Sequence, residues 1–446
     1  MKILITWVGP WLDKGEAAMI ISMVKALRER IPNVSITVSP SSFQPQEIDI
    51  IKYSEYDLKV LPGIFSSIFS VVPKLKFLKF TALKAMIALP VFPALMVKNI
   101  LWLISYKSLR FDAGFLIRDN RDTVKEYRDA DWVVFCGGEY ILGVSLGLLI
   151  ALYEIMFSKL LGKPVMLYAQ SFGPFKQKYA RPLIKRILNK VDVITTREGN
   201  SKKYLEDIGV TAPVFETADA AFTLPVISQE EALSLIERET EIPKNELMVG
   251  ITAIYRDFPS QKGQIEETVE NYLKAMAEAI DYIITKLNAY AIFFPHNKTI
   301  YTNRNDELAS MKIFEKIKNK SKMTILTDDY SPEQLKGMYG CMSLFIGTRY
   351  HSCIFALSMN VPTIPIGYTH KAPGITKMLG LEAYLVDINT ITTHELTSKI
   401  DKIWAERDEV KKNLEKNIKV MQAKSMENVR LAVEYLGLRE ANMVND

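Results

Sequence analysis

Residues 343–354 read Ser-Leu-Phe-Ile-Gly-Thr-Arg-Tyr-His-Ser-Cys-Ile, an apolar stretch followed by a polar loop and a helical pattern. We expect a strand that ends at Gly347 and a helix that resumes at about Ser352. Arg349 and His351 then follow a strand end beside a helix N-terminus, where backbone N–H groups and the helix dipole favour an anion. Arginine offers a planar fork for carboxylate or phosphate oxygens, and histidine exchanges protons near neutral pH. The stretch predicts an α/β fold with an anion site at a strand end.

Strands alternate with helical patterns on both sides of this stretch, which is typical of parallel sheets built from β-α-β units. The predicted strands cover residues 2–7, 34–38, 132–136, 165–169, 191–195, 247–254, 289–294, 324–327, 343–346 and 363–366. A looser region with two prolines and a run of glutamates separates two such sets. We therefore expect two doubly wound, Rossmann-like domains that face a cleft. Their predicted bounds are 1–225 for the N-terminal domain, 226–246 for a linker, 247–393 for the C-terminal domain and 394–446 for closing helices.

Composition excludes several classes of protein. Hydrophobic residues make up 48% of the 446 residues and charged residues 24%, which are ordinary globular values. The three cysteines are too few and too scattered for a disulfide framework or a zinc cluster, which favours a reducing compartment. The first strand begins without a separate signal-peptide core, so we expect a cytoplasmic protein.

Residues 58–111 form a basic, apolar insertion in the predicted N-terminal domain. They hold eight Lys or Arg and no Asp or Glu, so with a net charge of +5 overall the rest of the chain carries −3. Nucleic acid is therefore not an expected partner. The longest uncharged runs, 60–73 and 85–97, are shorter than the roughly 20 residues that span a bilayer. Basic residues mixed with large apolar ones favour docking on an anionic membrane surface; the alternative is a helical insertion that covers the sheet.

Further polar residues follow other predicted strands, at the sheet edge where α/β proteins bind ligands. Walker, Rossmann GxGxxG and HExxH motifs are absent from the sequence, and Asp129-Ala-Asp131 precedes its strand instead of following it, so we expect no metal. The candidate residues at strand ends, besides Arg349 and His351, are Gly15, Glu16, Gly138, Glu139, Gln170, Ser171, Arg197, His296 and Lys371.

A set of motifs in one order resembles the polysaccharide pyruvyl transferase family over about residues 1–390. The motifs are Gly15-Glu-Ala, Cys136-Gly-Gly, Gln170-Ser-Phe-Gly-Pro174, Thr196-Arg-Glu, Ala218-Asp219, Gly347-Thr-Arg-Tyr-His-Ser352 and the loop from Tyr368 to Lys371. The resemblance implies a fold similar to the two-domain GT-B glycosyltransferases. It also implies transfer of a pyruvyl group from phosphoenolpyruvate to two hydroxyls of a sugar, with a cyclic ketal and phosphate as products. The chain departs from the family in the basic insertion and in Cys136, where a third glycine is common.

The resemblance assigns roles to the candidate residues. Arg197, Arg349 and Lys371 would bind phosphoenolpyruvate, and His351 would be the general acid. Acceptor binding would fall to Gly15, Glu16, Gly138, Glu139, Gln170, Ser171 and His296, with Glu139 or Glu16 as a base. Phosphate departure needs only cations, so neither a metal nor a cofactor is implied.

Two alternatives stay open at this point. One is a GT-B glycosyltransferase with a nucleotide-sugar donor, and the other is a non-catalytic, membrane-associated sugar-binding subunit. A lipid-linked acceptor would suit a peripheral enzyme on the inner face of the cell membrane. The sequence makes no prediction about the acceptor sugar, the ketal linkage or the oligomeric state.

Overall fold

The computed structural model describes residues 1–40, 45–66, 81–243, 245–255, 265–299, 306–368 and 371–443, with side chains left aside at 81–92, 265, 371 and 438–443. Two compact units emerge from the contacts between residues. The first unit comprises Met1–Trp11, Met23–Asp219 and Met426–Asp446, and the second comprises Leu12–Ser22 and Ala220–Ser425. The chain passes from the first unit to the second between Asp219 and Ala220, and the domain bounds given above stay a prediction. Leu12–Ser22, which the sequence placed in the N-terminal domain, is grouped with the second unit.

The first unit contains a seven-stranded parallel sheet in its described residues, in the order β3-β2-β1-β4-β5-β6-β7. Its strands are β1 (Lys2–Thr6), β2 (Ser35–Ser39), β3 (Lys59–Val60), β4 (Trp132–Phe135), β5 (Val165–Gln170), β6 (Val193–Thr196) and β7 (Val214–Glu216). The central strands β4 and β5 are buried at every residue. Helices that cover both faces of a parallel sheet explain these continuous apolar runs.

The second unit contains a six-stranded parallel sheet in the order β10-β9-β8-β11-β12-β13. Its strands are β8 (Met248–Thr252), β9 (Tyr290–Phe293), β10 (Met323–Ile325), β11 (Leu344–Gly347), β12 (Thr363–Gly367) and β13 (Val386–Asp387). In both sheets the order reverses once, between β1 and β4 and between β8 and β11, which is the Rossmann pattern. The predicted fold class, two doubly wound Rossmann-like domains, is confirmed.

Helices connect these strands. They are α1 (Lys14–Arg30), α2 (Glu47–Ser54), α3 (Thr81–Ser108), α4 (Arg121–Asp129), α5 (Leu146–Leu160), α6 (Arg181–Leu188), α7 (Gly199–Asp207), α8 (Gln229–Glu239), α9 (Ile265–Lys286), α10 (Asp306–Lys316), α11 (Pro332–Gly340), α12 (Tyr350–Ser358), α13 (Lys371–Leu379), α14 (Thr393–Ala405) and α15 (Arg407–Met443). Their starts carry the usual signals: Ser145 caps α5, and Ser331 with Gln334 forms a capping box at α11.

Much of the predicted insertion 58–111 is the single helix α3, which continues through Pro90 and Pro93. Its C-terminal half packs Leu95, Trp102 and Leu103 into the core of the first unit. Within the described part of the chain, no helix combines the length and the apolarity that crossing a membrane requires.

Candidate active site

The loop after β9 is tied to the N-terminus of α1, and both belong to the second unit. The side chain of Asp13 accepts a hydrogen bond from the Glu16 backbone N–H at 3.3 Å, which caps the helix. The same carboxylate accepts from the Asn297 amide at 2.6 Å. The Lys14 N–H donates to the His296 carbonyl at 3.2 Å. These contacts fix the first turn of α1 beside the end of strand β9.

Lys14 is a buried cation at this turn. Its side chain is 1% exposed, and Nζ lies 2.6 Å from the Asp329 carboxylate. Lys14 thus places a positive group near the loop after β9, and the Asp329 carboxylate compensates the charge of that group. Lys14 directly precedes the Gly15-Glu-Ala motif and was not among the predicted site residues.

Arg349 is the N-cap residue of α12 and is oriented by Asp306, the first residue of α10. Its Nε and Nη2 both donate to Oδ1 of Asp306, Nε at 2.9 Å. Oδ2 of Asp306 accepts from the backbone N–H groups of His296 at 3.1 Å and Asn297 at 2.9 Å. Asp306 is fully buried. One carboxylate therefore positions both the guanidinium and the loop after β9.

Burial and charge shift the ionisation of this pair. Burial raises the pKa of Asp306 to about 6, although the Arg349 guanidinium opposes that shift. For Arg349, burial alone would lower the pKa, but the Asp306 carboxylate outweighs it and raises the pKa above its ordinary value. The guanidinium is thus charged at all working pH values, and Asp306 is largely ionised at neutral pH.

His351, the second residue of α12, lies against the second residue of α1. A Cβ atom built on Gly15 would lie 2.2 Å from His351 Nδ1, so the glycine permits a close approach that any larger residue would prevent. The imidazole therefore lies next to the N-termini of two helices. Each N-terminus presents backbone N–H groups and the positive end of a helix dipole, which favours an anion at this place.

His296 completes the cluster in the second unit. It is buried, and its Nδ1 lies 3.1 Å from the Tyr339 hydroxyl. Its Nε2 has no hydrogen-bond partner among the described residues. Burial lowers the pKa of His296 well below 6.5, and electrostatic interaction with His351, Arg349 and Lys14 lowers it further. The ring is therefore neutral at neutral pH.

A separate buried network in the first unit contains Arg197. Its guanidinium is 1% exposed, donates to the Ser171 hydroxyl at 2.8 Å and to Asp219 at 2.7 Å, and lies 3.8 Å from Glu198. The side-chain amide of Gln170, at the end of β5, donates to the Cys136 carbonyl. The ends of strands β4, β5 and β6 thus meet in one polar cluster.

Gly138 in the first unit has a packing role. A Cβ on Gly138 would lie 2.1 Å from the Tyr140 ring. That ring packs against Trp7 at a centroid distance of 4.3 Å, and its hydroxyl donates to the Trp7 carbonyl at 3.1 Å. Glu139 lies between Gly138 and Tyr140 in the sequence and is half-buried.

The candidate residues fall into two groups. The group in the second unit comprises Gly15, Glu16, His296, Arg349 and His351. The group in the first unit comprises Gln170, Ser171 and Arg197, and the Ser171 backbone N–H donates to the Gly138 carbonyl at 3.0 Å. Convergence of Arg197 with Arg349 on one anion stays a prediction, since the two belong to different units. Lys371 is the first residue of α13, and its side chain lies outside the described residues, so its role also stays a prediction.

The sequence analysis did not identify three carboxylates that position the site residues: Asp13, Asp306 and Asp329. Asp13 and Glu16 have the spacing of a helix-capping pair, which could have identified Asp13. Asp306 and Asp329 carry no comparable local pattern. Asp306 pairs with Arg349, which lies 43 residues later, and Asp329 pairs with Lys14, which lies far upstream.

Known proteins similar to this chain share its fold and part of its sequence. It is similar to a putative UDP-N-acetylglucosamine 2-epimerase from Listeria monocytogenes, with 12% identity, a TM-score of 0.57 and coverage of 97% of this chain and 95% of that one. A UDP-GlcNAc 2-epimerase from Neisseria meningitidis gives 11% identity, a TM-score of 0.56 and coverage of 97% and 100%. At such low identity these likenesses show the fold alone.

Sequence relatives are more specific about the family. The chain is 23% identical over 295 residues to the amylovoran biosynthesis protein AmsJ of Erwinia amylovora, covering 66% of this chain and 69% of AmsJ. The family model described as polysaccharide pyruvyl transferase matches residues 14–370, which include both groups of candidate residues. The resemblance found in the sequence is confirmed, and the chain belongs to the polysaccharide pyruvyl transferase family and is a transferase.

Proposed function

We propose that this transferase moves a pyruvyl group from phosphoenolpyruvate to a sugar of a cell-surface polysaccharide precursor, forming a cyclic ketal and releasing phosphate. The observation that carries the proposal is the placement of His351 against Gly15, beside Arg349 and next to the N-termini of α1 and α12. This placement would bring a small anion and a proton donor together. The similarity to AmsJ, a protein of amylovoran biosynthesis, supports a polysaccharide acceptor.

The donor would bind through charge and helix N-termini. Phosphoenolpyruvate carries two acidic groups, a carboxylate and a phosphate, which suit the forked guanidinium of Arg349 and backbone N–H groups. Asp306 fixes the plane of this guanidinium through Nε and Nη2, so the cation is oriented before the donor arrives. We propose that Lys371 and Arg197 also contact phosphoenolpyruvate. Arg→Lys at either arginine should fail to restore binding, since lysine offers no planar fork.

The reaction needs one proton delivered to carbon and two hydroxyl groups added to the next carbon. His351 protonates the methylene carbon of phosphoenolpyruvate, and the positive charge develops on C2. The first sugar hydroxyl adds to C2 and gives its proton to a base, for which Glu16 and Glu139 are candidates. The C2–O bond to phosphate then breaks, the second hydroxyl closes the ketal, and its proton leaves with the phosphate. Acceptor contacts would come from Gly138, Gln170, Ser171 and His296.

The test is turnover with phosphoenolpyruvate and a panel of sugar nucleotides and lipid-linked sugars. Phosphate release should accompany the appearance of an acid-labile pyruvate ketal in the sugar product. His351→Gln keeps a polar side chain but removes the acid, so we expect a loss of roughly 10²–10⁴ in rate with only modestly weakened donor binding.

Three outcomes would contradict the proposal. Retention of more than half of the rate by His351→Gln would remove the general acid. Release of a nucleoside diphosphate without phosphate would indicate a glycosyltransferase. Sugar binding that is unaffected by His351→Gln, with no turnover of any acceptor, would indicate a binding subunit.

A further inference from the structure

The outward face of helix α3 is apolar. Val97, Leu101 and Ile104 follow one another at spacings of four and three residues, which places them on one side of the helix. They are 54%, 48% and 48% exposed. The opposite side carries the buried Trp102, whose Nε1 donates to Asp112 at 2.8 Å, so the orientation of the helix is fixed. The apolar stripe therefore faces away from the core by construction.

The loop that follows α3 extends this apolar surface. Leu109, Phe111 and Phe115 are 71%, 59% and 74% exposed. Single exposed apolar residues are common on soluble proteins, but six large ones within 19 residues are not. We call these six residues the α3 surface: Val97, Leu101, Ile104, Leu109, Phe111 and Phe115.

Positive charges outnumber negative ones along the chain around the α3 surface. Between residues 93 and 119 the chain holds four basic residues and two acids, Asp119 and Asp112, the second of which accepts a hydrogen bond from Trp102. The basic residues are all exposed: Lys98, Lys107, Arg110 and Arg118. This combination of apolar tips and cations matches the headgroup layer of a bilayer that contains acidic lipids.

We propose that the α3 surface docks the protein on an anionic lipid bilayer, with its apolar side chains in the headgroup layer and its cations against the lipid phosphates. The charge pattern favours this occupant over a second copy of the chain, because two identical basic surfaces repel each other. Nucleic acid is a poorer fit, since it offers no partner for the apolar stripe. This inference is independent of the proposed function.

The experiment is co-sedimentation of the full chain with phosphatidylcholine vesicles that contain or lack phosphatidylglycerol. We expect binding that requires phosphatidylglycerol and weakens as salt is raised. Replacing the loop tips by serine (Leu109→Ser, Phe111→Ser and Phe115→Ser together) should reduce binding roughly tenfold or more, because these side chains no longer enter the lipid layer. Lys107→Gln with Arg110→Gln should reduce binding and flatten its salt dependence.

The matched control removes equally exposed apolar residues elsewhere. Met311 and Val420 are 57% and 50% exposed and lie in the second unit, so Met311→Ser with Val420→Ser should leave vesicle binding unchanged. All variants must show the wild-type unfolding transition. Equal binding to both kinds of vesicle, or binding that survives the triple serine variant, would overturn the proposal. An absence of vesicle binding would also overturn the proposal. If the triple serine variant then proved to dissociate a dimer in sedimentation equilibrium, the α3 surface would be a contact between two copies of the chain.

Discussion

Replacing Gly15 by alanine adds one methyl group at the second residue of α1, directly against the His351 side chain. The new Cβ would lie 2.2 Å from Nδ1, 2.5 Å from Cγ and 2.6 Å from Cβ of His351. Ordinary van der Waals contact begins at 3.4 Å, so Nδ1 must retreat by about 1.2 Å from its present 2.2 Å. Rotation about χ1 moves the ring but not the histidine Cβ, so α12 must shift as well.

The size of the effect follows from these distances. Forcing extra volume into a packed site typically costs about 1–3 kcal/mol of unfolding free energy. Misplacing a catalytic group by roughly 1 Å can reduce the rate about 100-fold. We therefore expect Gly15→Ala to lose about 1–3 kcal/mol of stability and roughly two orders of magnitude in the rate of phosphate release.

The assay compares the rate of phosphate release and the urea unfolding of Gly15→Ala with those of a matched control. Gly147 is likewise the second residue of a helix, α5, but its added Cβ would meet Ser145 at 3.7 Å and Trp7 at 4.0 Å. Gly147→Ala should therefore change neither quantity appreciably. His351→Ala combined with Gly15→Ala removes the colliding ring and should recover part of the lost stability, which a double-mutant cycle measures.

The reasoning would be refuted if Gly15→Ala kept the wild-type rate and stability, because His351 would then not occupy the position beside α1. An equal loss in Gly147→Ala would also contradict it. In that case alanine at the second position of any helix in this chain would be harmful, and the contact with His351 would explain nothing.

Two further predictions concern the same cluster. Asp306→Ala leaves the buried Arg349 guanidinium without its carboxylate, so we expect a loss of roughly 3–5 kcal/mol in unfolding free energy, and much less additional loss when Arg349→Met is added; additive losses in the double variant would contradict the pairing. Because the pKa of His296 is lowered in the folded state, the unfolded chain binds the proton first, and stability is lost as pH falls below about 6.5. His296→Gln should therefore show a smaller fall in urea midpoint between pH 7 and pH 5 than the wild type, and an identical fall would exclude this contribution.

Much of the fold could be predicted because strand runs and helix periodicity are local properties of the sequence. The ten predicted strands all correspond to observed ones, and those missed in the described residues are β3, β7 and β13. These have two or three residues, too few to show an alternating or apolar pattern. Helix α12 begins at Tyr350 instead of the expected Ser352, which makes Arg349 the N-cap residue.

The candidate site was harder to predict because its orienting contacts join distant parts of the chain. Arg349 and His351 were found from their position after a strand, a local pattern. Gly15 was selected as an acceptor residue from its motif, whereas the structure shows its contact with His351, more than 300 residues later. Asp306 could not be found, since its three partners meet only in the folded sheet.

The buried position 306 holds an aspartate although an ionised carboxylate is unfavourable there. Its pKa of about 6 exceeds the ordinary 3.8, so the stability it contributes is present in acid and is lost as pH rises through about 6. Burial therefore disfavours the ionised carboxylate in the folded state at neutral pH. Asparagine would avoid this cost, but its NH₂ group would face N–H donors on either side: the Arg349 guanidinium on one, and the backbone of His296 and Asn297 on the other.

Only a carboxylate accepts hydrogen bonds on both sides of this position. Through Asn297 the same position reaches Asp13, which caps α1, and α1 holds Gly15 against His351. A single buried acid thus connects the placement of the guanidinium to the placement of the imidazole. Without Asp306 the guanidinium would lose its carboxylate acceptor, and this requirement accounts for a carboxylate that burial makes unfavourable.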